Sequence, residues 1–233
     1  MRLSLQRNEI IFLALRQISD MKALIIANGK LPPQRIVRAL VREADYIVCA
    51  DGGANHARRL AITPDIIVGD FDSITTATKR FYKNVPHYPI ADQNSTDLEK
   101  AIRFCIERKM GEANIIGAFG ERLDHTTGSL GCFKKFRGEI VLRFIDKEAV
   151  VSLIVKKITM QTTIGEKISL IPLDRCEGVT TKHLKYAVRN GVLELGVQEG
   201  TSNVALANSV TVSVKKGTLL LYRFHGLGGR WQV

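Results

Sequence analysis

From Met21 to Ile145 the chain alternates short apolar runs rich in β-branched residues with segments of helical spacing. That alternation limits the fold more than any other feature, because repeated strand–helix units build a parallel sheet covered by helices on both faces. Ala23–Ala27, Tyr46–Ala50, Asp65–Val68, Asn114–Ala118 and Val141–Ile145 read as its strands. Pro33–Glu43, a segment carrying Ala57 and Leu60, Thr75–Asn84, Ser95–Lys109 and Thr126–Phe136 read as helices. In Ser95–Lys109 a stripe of Leu98, Ala101, Ile102 and Cys105 leaves Glu99, Lys100 and Arg103 outside it. Val85–Ile90 holds Pro86 and Pro89, which confines it to a sheet edge or a loop.

Near Asp146 the periodicity changes. Short β-rich runs (Val150–Val155, Lys167–Ile171, Val192–Leu195, Val210–Val214, Thr218–Phe224) are separated by turns at Gly165, Asn190-Gly191 and Gly217. Such spacing predicts a β-sandwich or barrel, of jelly-roll type. The expected organisation is therefore an N-terminal extension (1–20), a Rossmann-like α/β domain (21–147) and an all-β domain (148–233). The extension has an apolar run, Ile10–Leu15, but it is short, flanked by Arg7 and Arg16, and lacks a small-residue cleavage site, so no signal peptide is expected.

Composition narrows the partners. A net charge of +11 suits a polyanionic ligand, yet there is no basic tract and no basic–aromatic motif, which ranks a nucleotide above nucleic acid. No apolar run approaches the ~20 residues needed to span a bilayer, so no membrane association is expected. Cys49, Cys105, Cys132 and Cys176 are widely spaced without a C-x-x-C pair, as expected of buried thiols in a reducing cytoplasm.

Four loops follow strands of the first half. Val68-Gly69-Asp70-Phe71-Asp72-Ser73 sets two oxygen-only donors at a strand's carboxyl end, where open α/β sheets bind ligands and where Mg²⁺ finds carboxylates beside substrate phosphates. Alone, such a D-x-D is an ordinary solvated turn. Asp51-Gly52-Gly53-Ala54-Asn55 adds a carboxylate and two glycines that admit close backbone approach, though alone it is a common strand-to-helix turn. Asp92–Asp97 opens the strongest helix, with Ser95 or Thr96 as its cap, a role that needs no ligand. Gly117–His125 joins strand to helix and offers backbone N–H groups and Arg122 to phosphate, but fits neither a dinucleotide fingerprint nor a P-loop.

In this order the four stretches resemble the thiamine pyrophosphokinase family: D-G-G-A at Asp51–Ala54, P-D-x-x-x-G-D-F-D-S at Pro64–Ser73, D-x-x-x-T-D at Asp92–Asp97 and G-x-x-G-x-R-x-D-H at Gly117–His125. Gly200-Thr201-Ser202-Asn203 matches the family's later G-T-S-N substrate loop, and the resemblance runs from Met21 to Phe224. Glu121 stands where the family commonly has glycine, and residues 1–20 and 226–233 have no counterpart. The resemblance implies transfer of the diphosphoryl group of ATP to the hydroxyethyl group of thiamine, giving thiamine diphosphate and AMP. It implies Mg²⁺ on Asp70, Asp72 and Asp97 with Asp51 nearby, and ATP phosphates met by Asp51, Gly52, Gln93, Thr96 and Arg122. Asp72, Asp97, Arg122 and Asp124 are the implied catalytic set, with Asp124 orienting Arg122 or receiving the alcohol proton. Thr201, Ser202, Asn203 and an aromatic ring, Tyr222 first and Tyr186 second, would hold thiamine. A homodimer with the thiamine site at the subunit interface is implied as well. Two rivals stand: a diphosphokinase for another alcohol such as a hydroxymethyl pterin, and a non-catalytic nucleotide- or RNA-binding protein. The second leaves unexplained why carboxylates gather at strand ends, where they repel phosphate.

Overall fold

The computed structural model describes residues 19–120 and 122–225. The expectations for the 1–20 extension up to residue 18, for Glu121 and for the 226–233 tail lie outside the described residues. The chain divides into two compact units, one running to His125 and including Arg137–Val141, the other formed by Thr126–Phe136 and everything from Leu142.

In the first unit five strands lie in the order β5-β1-β2-β3-β4: β1 Ser19–Ile26, β2 Tyr46–Ala50, β3 Ile66–Gly69, β4 His87–Pro89 and β5 Met110–Ile116. All four pairings are parallel. The central strands bury both faces, with Leu24, Ile25, Ile26, Val48, Ile67 and Ile115 inaccessible to water, which is why they read as unbroken apolar runs. β4, with its two prolines nearby, is the edge, as expected. The helices are α1 Gln34–Glu43, α2 Gly53–Arg59, α3 Thr76–Phe81 and α4 Asp97–Glu107, followed by α5 Leu123–Lys135, within which the division between the units falls. α4 ends at Glu107, two residues earlier than its spacing suggests, because Lys109 takes φ +59° and turns the chain straight into β5. β1 begins at Ser19, which pairs with Met110, so the sheet starts ahead of Met21.

The second unit holds two antiparallel arrays. One runs β12-β9-β14-β7-β6 and comprises β6 Val141–Ile145, β7 Ala149–Ile154, β9 Lys167–Pro172, β12 Gly200–Val204 and β14 Leu219–Phe224. The other runs β11-β10-β13-β8 and comprises β8 Lys157–Gln161, β10 Cys176–Lys182, β11 Gly191–Leu193 and β13 Ser209–Ser213. Side chains of both arrays, among them Ile168, Leu170 and Leu221 from one and Val179, Val210 and Val212 from the other, share one buried core, which makes the unit a sandwich. β6, which reads in sequence as a strand of the first half, pairs antiparallel with β7. The expected turns carry their backbone signature: φ is +90° at Gly165, +98° at Gly217 and +48° at Asn190. The four cysteines are buried thiols. Among the described residues no helix is long and apolar enough to cross a membrane.

Candidate active site

Three loops at the carboxyl ends of neighbouring strands bring their carboxylates together. Asp51 follows β2, Asp70 follows β3, and Asp97 opens α4; one oxygen of each lies within 4.8 Å of the others. The pairing of β2 with β3 sets Ala50 opposite Val68, so the loops just beyond them, distant in sequence, become neighbours. Asp51 sits at φ +39°, a left-handed conformation that costs an L-residue about 1–2 kcal/mol, and its N–H donates to the Val68 carbonyl at 2.8 Å. Gly69, at φ +151°, is required: a Cβ there would fall 2.8 Å from the Asp51 Cβ and 3.3 Å from Asp97 Oδ1. Phe71 is also turned, at φ +66°, its ring edge-on to His87.

Asp51 is 1% exposed, yet only one of its oxygens is served: Oδ2 accepts the Ser73 N–H at 3.2 Å, while Oδ1 is buried without a partner. Burial, aided by the charges of Asp97 and Asp72 and opposed by the Ser73 N–H, pushes its carboxyl up to about 6. A buried aspartate with an orphaned oxygen, grouped with two more carboxylates, is the donor set a hard divalent cation takes, so Mg²⁺ fits these residues. Asp72 is not in this trio. Its Oδ1 accepts the Ser73 hydroxyl at 2.8 Å, and its N–H lies 3.4 Å from Asp70 Oδ1.

Lys100 departs from the sequence expectation. It is 2% exposed, not outside the helix stripe, and its Nζ donates to Asp97 Oδ1 at 3.0 Å and Asp70 Oδ2 at 3.1 Å. Burial works against the ammonium, but those two carboxylates outweigh it and raise its pKa; the same hydrogen bond lowers that of Asp70. The available signal is its place one turn after Asp97 on the same helix face. Asn55 is a further residue that sequence reasoning misses. Its Nδ2 donates to the Ser73 carbonyl at 2.9 Å and its Oδ1 accepts from the Thr75 N–H at 3.1 Å, bracing the aspartate loop from α2.

Gln93 reaches the same cluster, its Nε2 3.4 Å from Asp70 Oδ2. Thr96, not Ser95, caps α4, its hydroxyl accepting the Glu99 N–H at 3.3 Å. Ser95 instead donates to Asp92 at 2.6 Å. Gly52 lies within the turn leading into α2, and Asn28 fills the space where a Cβ would go. Arg122 and Asp124 are exposed and paired two-fold, Nε to Oδ1 at 3.2 Å and the terminal amine to Oδ2. That guanidinium holds the Asp124 carboxyl down at about 2.

In the second unit, Gly200–Asn203 belongs to the edge strand β12 and is not a free loop. Its pairing with β9 is interrupted between Gly200 and Asn203, where Ser202 takes φ +55° and donates its N–H to Ser169 Oγ at 2.9 Å. Thr201 and Ser202 are exposed. Asn203 is buried, and its amide is spent on the chain: Oδ1 accepts the N–H groups of Tyr186 and Val204 at 2.9 Å, and Nδ2 donates to the Tyr186 carbonyl at 2.7 Å. Asn203 thus anchors Tyr186, which is 59% exposed with the Lys185 ammonium 5.4 Å from its ring centre. Tyr222, half-buried on β14, stands in register with Ser169, so Tyr222, Ser169 and Ser202 lie across three adjacent strands.

Two family models match the chain: thiamin pyrophosphokinase, catalytic domain, over residues 37–142, and thiamin pyrophosphokinase, vitamin B1 binding domain, over 155–219. Among curated relatives, thiamine pyrophosphokinase of Bacillus subtilis is 30% identical over 85% of this chain and 96% of its own. Thiamine pyrophosphokinase 3 of rice (Oryza sativa subsp. japonica) is 27% identical over 86% of this chain and 85% of its own. The crystal structure of the Bacillus subtilis thiamine pyrophosphokinase superposes with a TM-score of 0.78 at 27% identity, covering 88% of this chain and all of that one.

Proposed function

The chain belongs to the thiamin pyrophosphokinase family and is an ATP-dependent diphosphotransferase that makes thiamine diphosphate and AMP; from that premise we propose which of its residues do the work. Asp51, Asp70 and Asp97, with Asp72 beside them, hold Mg²⁺. The observation that carries this is that Asp51, grouped with two further carboxylates, is buried with its Oδ1 unpartnered. Bound there, Mg²⁺ neutralises oxygen charge on the triphosphate. Gln93 and Thr96 orient phosphate oxygens from the start of α4, where the helix dipole favours anions. Gly52, whose missing Cβ leaves room for the Asn28 side chain, offers the nucleotide its backbone.

In the reaction the thiamine hydroxyl oxygen bonds to the β-phosphorus, the bond from that phosphorus to the α,β-bridging oxygen breaks, and AMP leaves with that oxygen. The alcohol proton passes to a base. Arg122 steadies the transferring phosphates, and Asp124 aims the guanidinium. A carboxylate held at about 2 is a poor proton acceptor, which favours the orienting role over the base role for Asp124. The division of labour follows: the loops of the first unit supply the nucleotide chemistry, and β12 and β14 of the second the thiamine.

Thiamine is a cation with a flat aminopyrimidine. Thr201 and Ser202 offer it exposed hydroxyls, Tyr222 or Tyr186 a ring face, and Asn203 contributes by fixing Tyr186. The same proposal includes a homodimer with the thiamine site at the subunit interface, and a cytoplasmic location, which the four buried thiols support. The test is purified protein with Mg²⁺-ATP and a panel of alcohols. AMP formed with thiamine, and lost in Asp51→Asn and Asp97→Asn variants that still fold, is the expected result. ADP as product, or AMP only with a hydroxymethyl pterin, refutes it.

A further inference from the structure

Lys100 is the one element of the carboxylate cluster that the reaction does not call for. It is a buried ammonium, 2% exposed, at 3.0 Å from Asp97 and 3.1 Å from Asp70. The trio, when ionised, against one ammonium leaves two negative charges over, and Asp72 beside it adds to the excess, so the ammonium leaves the site attractive to a divalent ion. Without Lys100 the same three oxygens would stand within 4.8 Å of one another with nothing between them. The ammonium uses one oxygen of Asp70 and one of Asp97, and Asp51 Oδ1 stays unpartnered, so the cluster remains open to a cation beside the lysine.

We propose that Lys100 is a positioning residue that acts as the site's resident counter-cation: it keeps Asp70 and Asp97 gathered in the absence of metal, and it holds the affinity for free divalent ion low, so that the ion enters together with the nucleotide. This rests on the metal-binding reading of the Asp51–Asp70–Asp97 cluster. Two consequences are opposite in sign. If Lys100 were only a brace, removing it would scatter the carboxylates and weaken metal binding. As a competing positive charge a few ångströms from the ion's place, its removal strengthens binding, by more than about tenfold even at the dielectric of bulk water. Nucleotide reverses the balance. A triphosphate brings negative charge of its own, so the native protein binds the ion tightly once the nucleotide is present.

The test uses the full chain and Mn²⁺ as the probe, with free Mn²⁺ followed by electron paramagnetic resonance, with and without an ATP analogue carrying a methylene bridge between the α- and β-phosphates. Lys100→Met, Lys100→Gln and Lys100→Arg are compared with the native protein. The expected result is weak binding of Mn²⁺ alone by the native chain and by Lys100→Arg, and binding at least about tenfold tighter by Lys100→Met and Lys100→Gln. The two neutral variants are also expected to melt lower than the native protein in chelator and to recover when Mn²⁺ is added, because the ion then substitutes for the ammonium. Lys100→Gln keeps an N–H donor near both carboxylates, so it carries the comparison if Lys100→Met does not fold. Equal or weaker Mn²⁺ binding by the folded neutral variants, with binding in the native chain still abolished by Asp51→Asn, overturns the counter-cation role and leaves the metal site standing. No Mn²⁺ bound by any variant, even with the nucleotide analogue, overturns both.

Discussion

Replacing Asp51 by asparagine is expected to make the protein more stable and inactive. The carboxyl is buried at φ +39° with one oxygen unpartnered, and burial lifts it from an ordinary 3.8 to about 6. A shift of about two units corresponds to about 3 kcal/mol of preference for the protonated form in the folded state. The sign follows from proton counting. Below about pH 4 the carboxyl is protonated folded or unfolded, and no penalty exists. Between about 4 and 6 the unfolded chain releases its proton first, so stability falls as pH rises; above about 6 the full penalty remains. The asparagine side chain would carry no charge, could still accept the Ser73 N–H, and would offer N–H donors to the acidic neighbours. In chelator at pH 8, Asp51→Asn is therefore expected to gain about 2–3 kcal/mol, or about 5–10 °C in Tm for a chain of this size, with little gain near pH 4. Turnover is expected to fall at least about a hundredfold, because a ligand's charge is lost. Thermal melts of both proteins across pH, in chelator, check the first part, and the difference between them removes every titration they share. A variant that melts at or below the native protein at pH 8, or gains equally at pH 4 and pH 8, refutes the argument.

Gly69→Ala places a Cβ against Asp51 and Asp97 in a backbone conformation that only glycine accepts readily, and is expected to cost about 2–5 kcal/mol and to raise the KM for Mg²⁺-ATP; denaturant titration and steady-state kinetics check both. Asn203→Ala releases Tyr186 and leaves its part-buried N–H and carbonyl without their side-chain partner, so it is expected to lower stability by about 1–3 kcal/mol and raise the thiamine KM together, whereas Ser202→Ala is expected to raise the thiamine KM with the melt unchanged. Thermal melts paired with kinetics, each substrate varied separately, distinguish the two variants.

The strands of the first unit are legible in the sequence to within a few residues, because strands buried on both faces must be apolar throughout and their ends must be polar or glycine. The second unit is less so. β12, Gly-Thr-Ser-Asn-Val, has no β-rich run of its own and is a strand only because β9 pairs with it across a bulge. β10 begins with Cys-Glu-Gly and hides for the same reason. At the candidate site, motif spacing groups Asp70 with Asp72, whereas space groups Asp70 with Asp51 and Asp97, since the register of β2 on β3 joins loops that sequence separates. Lys100 escapes a sequence reading because a charge off the apolar stripe normally faces water. What buries it is a pair of carboxylates, and one of those comes from 30 residues upstream.

Several unfavourable features of this protein meet where the proposed chemistry lies, although other positive-φ residues, Lys109 and Asn190 among them, lie elsewhere. Asp51 and Phe71 at positive φ, Gly69 in a glycine-only conformation, a carboxylate oxygen without a partner and a lysine out of water all belong to a few residues around one cluster. Left-handed residues cost about 1–3 kcal/mol each and persist only where the surroundings over-determine them. Here the surroundings are the sheet register, the Asn55 brace on Ser73 and Thr75, and the Thr96 cap of α4. An arrangement of that kind is held ready before its ligand arrives, so binding need not assemble it. It follows that Mg²⁺ with a nucleotide should stabilise this protein by more than the two added separately, since the ion relieves the carboxylates that Lys100 leaves uncompensated and the nucleotide relieves the ion.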